Sequence, residues 1–329
     1  MNQKFKKLGA VTLVGVLGLA SVGCSQTSEK EVAEQVVEEQ VEQVVEEVSY
    51  FPVTITDSTG TEVVVEETPE RIVSLAPSTT EIIHFLGLED RLVGRTEYCN
   101  FPESIQDVAV VGGTSEPNVE TIIGLNPDLV LGATHTSQEV IEKLREVGIP
   151  VAFLNEESSI ADTYQAINLV GELVNEVDQA EFVVDEMTAR IEAVTTHLEG
   201  VTELPSVYYA LWYGDSDSTA TGATFIGELM RLAGGENIAE DAEGWSISRE
   251  VIAARDPEII IVEEKPDMTL EEEIKQLQEM PFYQDLTAVK EGNVFAVDGD
   301  MIARQGPRLV GALEELAHIL HPEVMASYE

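Results

Sequence analysis

Short apolar runs alternate with segments of helical periodicity along most of the chain. Leu129–Leu131 reads as a buried strand and is followed by a helical pattern at Gln138–Glu146. Val151–Leu154 reads as the next strand, and a helical pattern begins at Ser159. Strands that alternate with helices in this way predict an α/β fold, in which mainly parallel sheets are covered by helices on both faces.

The first part of this pattern contains a hairpin and another strand–helix unit. Val53–Asp57 and Val63–Val65 alternate around a glycine-containing turn, which predicts a β-hairpin. Ile72–Leu75 follows as a short buried strand, which we expect to end before Pro77. Ser78-Thr-Thr-Glu81 has the spacing of a capping box, so we expect it to open a helix that ends at Gly87.

A twelve-residue segment occurs twice in the chain. Glu120 to Leu131 aligns without gaps with Glu250 to Ile261. Each copy has a glutamate, six residues, a proline, an acidic residue and a β-rich run of three, which predicts a helix followed by a strand. One unit used twice indicates two lobes of related build. The alternative is a chance match, because a proline between a helix and a strand is common.

The segment between the two copies has helical periodicity and lacks proline from Ser159 to Glu199. Asn175 and Asp178 indicate a stop and a restart, so we expect a second helix from about Asp178 to Glu199. Its 22 residues would extend ~33 Å, enough to span a small domain and to restrict lobe movement. We therefore expect two Rossmann-like lobes joined by one long interdomain helix. The predicted ranges are 50–176 for the N-terminal lobe, 177–200 for the helix and 201–329 for the C-terminal lobe.

The amino terminus has the pattern of a lipoprotein signal peptide at residues 1–24. Three early lysines precede an uncharged stretch from Leu8 to Gly23, which is shorter than the ~20 residues of a membrane-spanning helix. A short membrane anchor is the alternative to a signal peptide. Ser21-Val-Gly-Cys24 is similar to a lipobox, in which cleavage leaves Cys24 as the lipidated first residue. Residues 25–49 are rich in Glu and Val, which predicts an acidic low-complexity tether or, alternatively, a short amphipathic or coiled segment.

Composition excludes several classes of partner. The chain has 62 acidic residues against 18 Lys and Arg, and its formal net charge is −44, so it repels nucleic acid and anionic lipid. The 43% hydrophobic content suffices for a core, so the acidity describes the surface and indicates a saline or alkaline exterior. If processing consumes Cys24, Cys99 is left as an odd thiol without a disulfide partner.

Motifs typical of enzymes are absent from the sequence: there is no phosphate-binding or dinucleotide-binding Gly-rich loop, no Gly-x-Ser-x-Gly and no His-Glu-x-x-His. Several residues instead follow predicted strands, where α/β folds place ligand-facing groups. His135 is one of them, although a plain loop role is its alternative. The others are aromatic residues that offer flat contact area for a bulky ligand, with core packing as the alternative. These are Tyr98, Trp212, Tyr213 and Trp245.

Short strings in a fixed order extend over Phe51 to Leu320. They are Arg71-Ile-Val-Ser-Leu-Ala-Pro-Ser-Thr-Thr-Glu81, Val93-Gly-Arg-Thr-Glu-Tyr-Cys-Asn-Phe-Pro102, Val111-Gly-Gly, Asn118-Val-Glu120, Asn126-Pro-Asp128, Ala233-Gly-Gly-Glu-Asn237, Trp245-Ser-Ile-Ser-Arg-Glu250 and Arg304-Gln-Gly-Pro-Arg308. In this order the chain resembles the solute-binding lipoproteins of cobalamin and ferric-siderophore ABC importers. The resemblance implies two α/β lobes joined by one long helix, with a ligand held between them and little closure.

The resemblance also implies roles for individual residues. In the family, Glu120 and Glu250 would lie at the outer tips of the lobes and pair with arginines of the permease. Ordinary first-turn acids, stabilised by the helix dipole, are the alternative. Tyr98 and Trp245 match aromatic residues that contact the corrin in vitamin B12-binding members.

Two further site residues follow from the same comparison of motifs. Where vitamin B12-binding members have an aromatic residue after the strand, this chain has Ala133-Thr-His135, which makes His135 a candidate axial ligand for cobalt or haem iron. Arg304 is a candidate partner for a carboxylate, an amide or a siderophore anion, with helix capping as the alternative.

We therefore expect an extracytoplasmic, lipid-anchored, monomeric binding protein that delivers a small-molecule metal chelate to an ABC permease and its ATPase subunits. A corrinoid is the favoured chelate, and a ferric siderophore or haem is the alternative. We expect no intrinsic cofactor, no bare zinc or manganese ion, and no membrane contact beyond the lipid anchor. An exported enzyme and a surface interaction lipoprotein are the alternatives from other classes.

Overall fold

The computed structural model describes residues 50–154, 159–214, 216–265 and 267–328. The predicted signal peptide at 1–24, its Cys24 and the predicted tether at 25–49 lie outside the described residues. Residues Ser49–Glu329 form one compact unit, which contains both predicted lobes.

The N-terminal lobe consists of a hairpin and a five-stranded sheet. The antiparallel hairpin pairs β1, Val53–Thr56, with β2, Glu62–Val65, as predicted. The sheet is parallel with strand order β5-β4-β3-β6-β7, where the strands are β3 Ile72–Ser74, β4 Leu92–Arg95, β5 Ala109–Val110, β6 Leu129–Ala133 and β7 Val151–Leu154. The helices of this part are α1 Pro77–Phe85, α2 Val119–Gly124, α3 Gln138–Glu146 and α4 Ile160–Val174.

The C-terminal lobe is built around a four-stranded parallel sheet with strand order β11-β10-β8-β9. Its strands are β8 Ser206–Tyr209, β9 Glu236–Asn237, β10 Ile259–Glu263 and β11 Val294–Val297. The remaining helices are α5 Val177–His197, α6 Phe225–Leu232, α7 Arg249–Arg255, α8 Leu270–Glu279, α9 Thr287–Glu291, α10 Gly299–Ile302, α11 Leu309–Leu320 and α12 Pro322–Met325.

Helices cover both faces of each sheet, and successive strand side chains point alternately to one face and to the other. In the N-terminal lobe, Leu129 and Leu131 belong to a cluster with residues of the hairpin, α1, α4 and α5, while Val130 belongs to a second cluster with residues of α2 and α3. In the C-terminal lobe, Tyr209 packs with residues of α6 and α11, and Tyr208 packs with residues of α7, α8 and α9. These layers confirm the predicted α/β class with parallel sheets.

Helix α5 joins the lobes because its two halves are packed in different cores. Ala180, Val183 and Met187 lie in the core of the N-terminal lobe, and Val194 lies in that of the C-terminal lobe. Its 21 residues extend about 32 Å. It begins one residue before the Asp178 predicted from the helical pattern and ends two residues before the predicted Glu199. Helix α4 stops before it, at a left-handed Asn175.

The predicted repeat is a repeated structural unit. Helices α2 and α7 are capped by Asn118 and Ser248, whose side chains each accept a hydrogen bond from the backbone N–H three residues later. Asn126 and Asp256, at equivalent positions, both adopt a left-handed conformation before the strand begins. The two copies therefore share their helix start, their turn and their strand.

The acidic residue after the proline has the same function in both copies. Asp128 accepts a hydrogen bond of 2.9 Å from the backbone N–H of Arg71, just before β3. Glu258 accepts one of 2.8 Å from the N–H of Ser206, the first residue of β8. Each acid thus fixes the start of the neighbouring parallel strand, which explains why both copies have an acid there.

The predicted capping box at Ser78 is wrong. The N-cap of α1 is Ala76, with no side-chain cap, and Pro77 is the first helical residue. Proline suits this position because its φ is already helical and its missing N–H would have had no partner there. Ser78 and Glu81 therefore lie inside the helix and are buried. The predicted stop at Gly87 is confirmed by its φ of 74°.

Candidate functional site

A cavity of about 230 Å³ lies where the carboxyl ends of the N-terminal strands face the segment before α11. The loops after β3, β4 and β6 contribute to its wall, and Ala303 and Arg304 close it from the C-terminal half. The residues that line it are Ala76, Pro77, Ser78, Tyr98, Thr114, Ala133, His135, Ala303 and Arg304. Three of the residues singled out from the sequence, Tyr98, His135 and Arg304, are therefore brought to one cavity.

Tyr98 and His135 present exposed rings to this cavity. The Tyr98 side chain is 57% exposed. A large aromatic ring that is left open to solvent in this way suits a contact surface for a ligand. His135 lies two residues after Ala133, the last residue of β6, and its side chain is also exposed. An imidazole in this position is able to coordinate a metal held in a flat macrocycle.

Arg304 is held by four hydrogen bonds from its two terminal nitrogens. Nη1 donates to Glu81 Oε1 at 3.1 Å and to Asn100 Oδ1 at 2.8 Å. Nη2 donates to Asp300 Oδ1 at 2.5 Å and to the carbonyl of Tyr98 at 3.4 Å. Because both ends of the fork are engaged, the guanidinium has no free pair of N–H groups for bidentate binding of a carboxylate.

Glu81 is the residue of this site that the sequence reasoning assigned to another role. Its carboxylate is only 1% exposed and also accepts a hydrogen bond of 3.1 Å from Arg308 Nη1. Burial raises the pKa of Glu81, and the charges of Arg308 and Arg304 oppose that shift. In the sequence, a glutamate among the apolar residues of a short helix indicates a buried charge that needs a partner. The capping-box spacing assigned that glutamate to the helix start instead.

The aromatic residues of the C-terminal lobe are not among those that line this cavity. Trp212 and Trp245 are 64% and 43% exposed and lie on neighbouring short bridges, since Ser218 pairs with both Trp212 and Ser246. Tyr213 donates its hydroxyl proton to Glu273 at 2.6 Å and accepts a hydrogen bond from Lys265. Burial and the bond to Glu273 raise the pKa of Tyr213 to about 12. Ligand contact by these three aromatic residues stays a prediction.

Glu120 and Glu250 are exposed in the first turns of α2 and α7, the helices of the repeated unit. Hydrogen bonds from its own backbone N–H and from Ser248 lower the pKa of Glu250, so this carboxylate is charged at neutral pH. Two exposed acids at equivalent positions, one in each half, are available to a partner.

Cys99 is buried and takes part in hydrogen bonds of 3.1 Å with Thr80 and Thr96, so its thiol packs inside the N-terminal lobe. Within the described ranges, no group of three or more His, Cys, Asp and Glu residues is arranged to hold a metal ion. No helix in that part of the chain has the length and apolar character needed to cross a membrane.

Comparison with known proteins gives consistent matches. The profile of the family described as periplasmic binding protein matches residues 72–301. The chain is 32% identical over 280 residues to the Bacillus subtilis (strain 168) "Uncharacterized ABC transporter substrate-binding lipoprotein YvrC", which covers 83% of this chain and 87% of that protein. It is 32% identical over 278 residues to a protein named "Cobalamin-binding protein" in Halobacterium salinarum (strain ATCC 29341 / DSM 671 / R1), covering 82% of this chain and 74% of the relative. The apo structure of the periplasmic heme-binding protein RhuT from Roseiflexus sp. RS-1 matches with a TM-score of 0.70 and 28% identity, over 78% of this chain and 99% of that one.

Proposed function

Because the chain belongs to the periplasmic binding protein family, we propose that it is the substrate-binding component of an ABC importer and that it captures a corrinoid between its lobes. The observation that carries this proposal is the cavity lined from both lobes by Tyr98, His135 and Arg304. A relative that is 32% identical over 278 residues and is named for cobalamin binding supports the choice of ligand. This role requires binding and delivery but no catalysis.

The size of the cavity indicates how such a ligand would bind. A volume of about 230 Å³ is below the roughly 300–1,000 Å³ of pockets that enclose drug-sized ligands. A corrinoid would therefore occupy the cavity with one part and leave much of its surface in the open cleft. The exposed Tyr98 ring then offers a flat contact, and Arg304, whose charge is already balanced by Glu81 and Asp300, borders the cavity without a free fork of hydrogen bonds.

Titration with three chelates tests the ligand. The full chain carrying Cys24→Ser would be titrated with cyanocobalamin, haemin and ferrichrome, and binding would be read by calorimetry and by tryptophan quenching. The chain has two tryptophans, Trp212 and Trp245, so quenching reports on the C-terminal lobe. We expect saturable binding of cyanocobalamin that is tighter than that of the other two. Tight binding of ferrichrome alone, or of none of the three, would refute the proposal.

Haem is the second candidate, and His135 is the observation that favours it. An exposed imidazole at the cavity wall is a suitable axial ligand for haem iron, and a solved structure at 28% identity is titled as heme-binding. If haem is the ligand, the Soret band of the complex should shift when His135 is changed to Ala, and added imidazole should restore it. An unchanged Soret band in the His135→Ala variant excludes this coordination.

We also propose that Glu120 and Glu250 dock the protein on its permease. Their support is the repeat: each acid occupies the first turn of the same helix in its copy, and both are exposed. Changing both to Arg should abolish permease binding in a pull-down with membranes that contain the permease, while ligand affinity is unchanged. The matched control changes Glu139 and Glu271, which are exposed first-turn acids of α3 and α8, to Arg. Equal binding by both double variants would contradict specific docking.

We infer that the protein is attached to the outer face of the cell membrane through a lipid on Cys24. The lipobox-like string before Cys24 and a relative named as a lipoprotein support this. Metabolic labelling with a palmitate analogue should mark the parent chain and not the Cys24→Ser variant. Label in both, or in neither, would oppose the inference.

A further inference from the structure

The ends of two of the sequence strings meet across the cleft. The string that begins at Arg71 ends at Glu81, inside α1, and the string Arg304–Arg308 lies just before α11. Glu81 Oε1 accepts hydrogen bonds of 3.1 Å from Nη1 of Arg304 and from Nη1 of Arg308, which lie 223 and 227 residues further along the chain. We propose that Glu81 is a positioning residue, which fixes Arg304 in the cavity wall and ties the lobes together beside it. The width of the cleft is then set before a ligand enters. The effect on ligand affinity rests on the proposed function, whereas the tie between the lobes does not.

The Glu81 carboxylate has no other hydrogen-bonded role in the described ranges. Both bonds to Oε1 come from the arginines across the cleft, and Oε2 is buried without a partner. A buried carboxylate that loses its counter-charge is strongly unfavourable. Separation of the lobes at this point would break both charge-assisted hydrogen bonds to Glu81, so the pair resists separation.

The backbone of the second string is shaped to reach Glu81. A Cβ on Gly306 would lie 3.2 Å from Glu81 Oε2, so a glycine lets the loop pass directly over the carboxylate. The next side chain towards the amino terminus, Gln305, is buried and donates to the carbonyl of Ser159 at 3.2 Å. The string therefore contacts the N-terminal side at more than one point.

A second layer of contacts surrounds the pair. Asn100, in the loop after β4, accepts a hydrogen bond from Arg304 and donates one of 2.6 Å to Asp300. The guanidinium of Arg308 lies over the ring of Phe101, 4.3 Å from its centroid. Both arginines thus contact α1 and the loop that carries Tyr98, and the same network places charge and aromatic surface at the cavity wall.

The test measures the distance between the lobes without any ligand. Spin labels would be placed on Cys introduced at Glu142 in α3 and Gln278 in α8, both exposed, in the full chain carrying Cys24→Ser; Cys99 is buried and does not compete for label. Double electron–electron resonance should give a broader or longer distance distribution for Glu81→Gln than for the parent. The control, Glu314→Gln, removes a carboxylate that accepts bonds of 3.0 and 2.7 Å from Arg190, and its distribution should match the parent.

A second variant covers the case in which Glu81→Gln does not fold. Arg308→Lys keeps the charge but cannot bind Glu81 and Asp298 together as the fork does, at 3.1 and 3.2 Å. It should broaden the distribution to a smaller extent. A distribution identical to the parent's in a folded Glu81→Gln or Arg308→Lys protein overturns the proposal.

Ligand binding separates the two halves of the proposal. If the set width is populated only a tenth of the time in Glu81→Gln, the apparent Kd for cyanocobalamin should rise about tenfold, and Glu314→Gln should bind like the parent. Equal affinity of Glu81→Gln and parent overturns the positioning of Arg304. If even the parent does not bind cyanocobalamin, the proposed function is wrong, while the distance measurement still decides whether Glu81 ties the lobes.

Discussion

Replacement of Tyr98 tests whether flat aromatic area in the cavity wall contributes to affinity. A tyrosine has roughly 200 Å² of surface, so an exposure of 57% leaves ~110 Å² open to a ligand. If a corrinoid covers half of that area, about 55 Å² leaves water, which at ~25 cal/mol per Å² contributes ~1.4 kcal/mol. Tyr98→Ala should therefore raise the Kd for cyanocobalamin about tenfold.

The comparison with Tyr98→Phe identifies the cause of the change. Phenylalanine keeps the ring and loses only the hydroxyl, so Tyr98→Phe should bind within about twofold of the parent if area is what matters. Isothermal titration calorimetry would give the three values, with Tyr50→Ala as the control because Tyr50 is at least as exposed as Tyr98 and does not line the cavity. An unchanged Kd for Tyr98→Ala, or an equal loss in both variants, refutes the area argument.

Three further predictions concern stability. Burial alone would raise the pKa of Asp57, but hydrogen bonds from Thr59, Phe153 and Thr61 lower it, and Arg145 pairs with the same carboxylate. Asp57→Asn should therefore lower the free energy of unfolding in urea by about 3 kcal/mol at pH 7. Because the pKa of Asp57 is depressed in the folded state, the difference between parent and variant should shrink as the pH falls below the ordinary value of 3.8. A difference that stays constant with pH would contradict a depressed pKa. Gly306→Ala should lower the melting temperature, since its Cβ would crowd Glu81, whereas Gly124→Ala, where an added Cβ would meet no atom within 4 Å, should not lower it. The free energy of unfolding should rise between 0.1 and 1 M NaCl, because salt screens the repulsion among the acidic groups that give the chain its net charge of −44. The Debye length falls from about 10 to 3 Å over this range. A stability maximum at low ionic strength would count against this.

The sequence predicts those parts of the fold that depend on local pattern. Helix α3 and strand β7 have the bounds that apolar spacing predicts, and the restart after Asn175 follows from its left-handed conformation. The repeat predicts a helix and a strand in each half, including the acids Asp128 and Glu258. It does not predict what those acids bind, because their partners start other strands more than 50 residues away.

Glu81 shows why the site itself is harder to predict. Its spacing from Ser78 fits a capping box, and only Pro77 argues for an earlier helix start. Its true partners lie 223 and 227 residues away, and no local rule connects positions that far apart. The same limit applies to Arg304: the sequence marks it as a cation near a ligand, and the structure shows that its terminal nitrogens are already occupied.

The repeated unit connects each proposed docking acid with the ligand side of its sheet. Glu120 lies in the first turn of α2, which continues through the left-handed Asn126 into β6, and β6 ends at Ala133 in the cavity wall. Glu250 is connected in the same way, through α7 and Asp256, with the end of β10 at Glu263. A strand of five residues extends about 17 Å and is fixed by hydrogen bonds on both sides, so it moves as a rigid element. A permease that grips both acids therefore acts on two rigid units, while α5 and the Glu81 pair hold the lobes together between them. In the proposed role, release would require the permease to overcome that pair, which would link the ion pair beside the cavity with the two exposed acids in one mechanism.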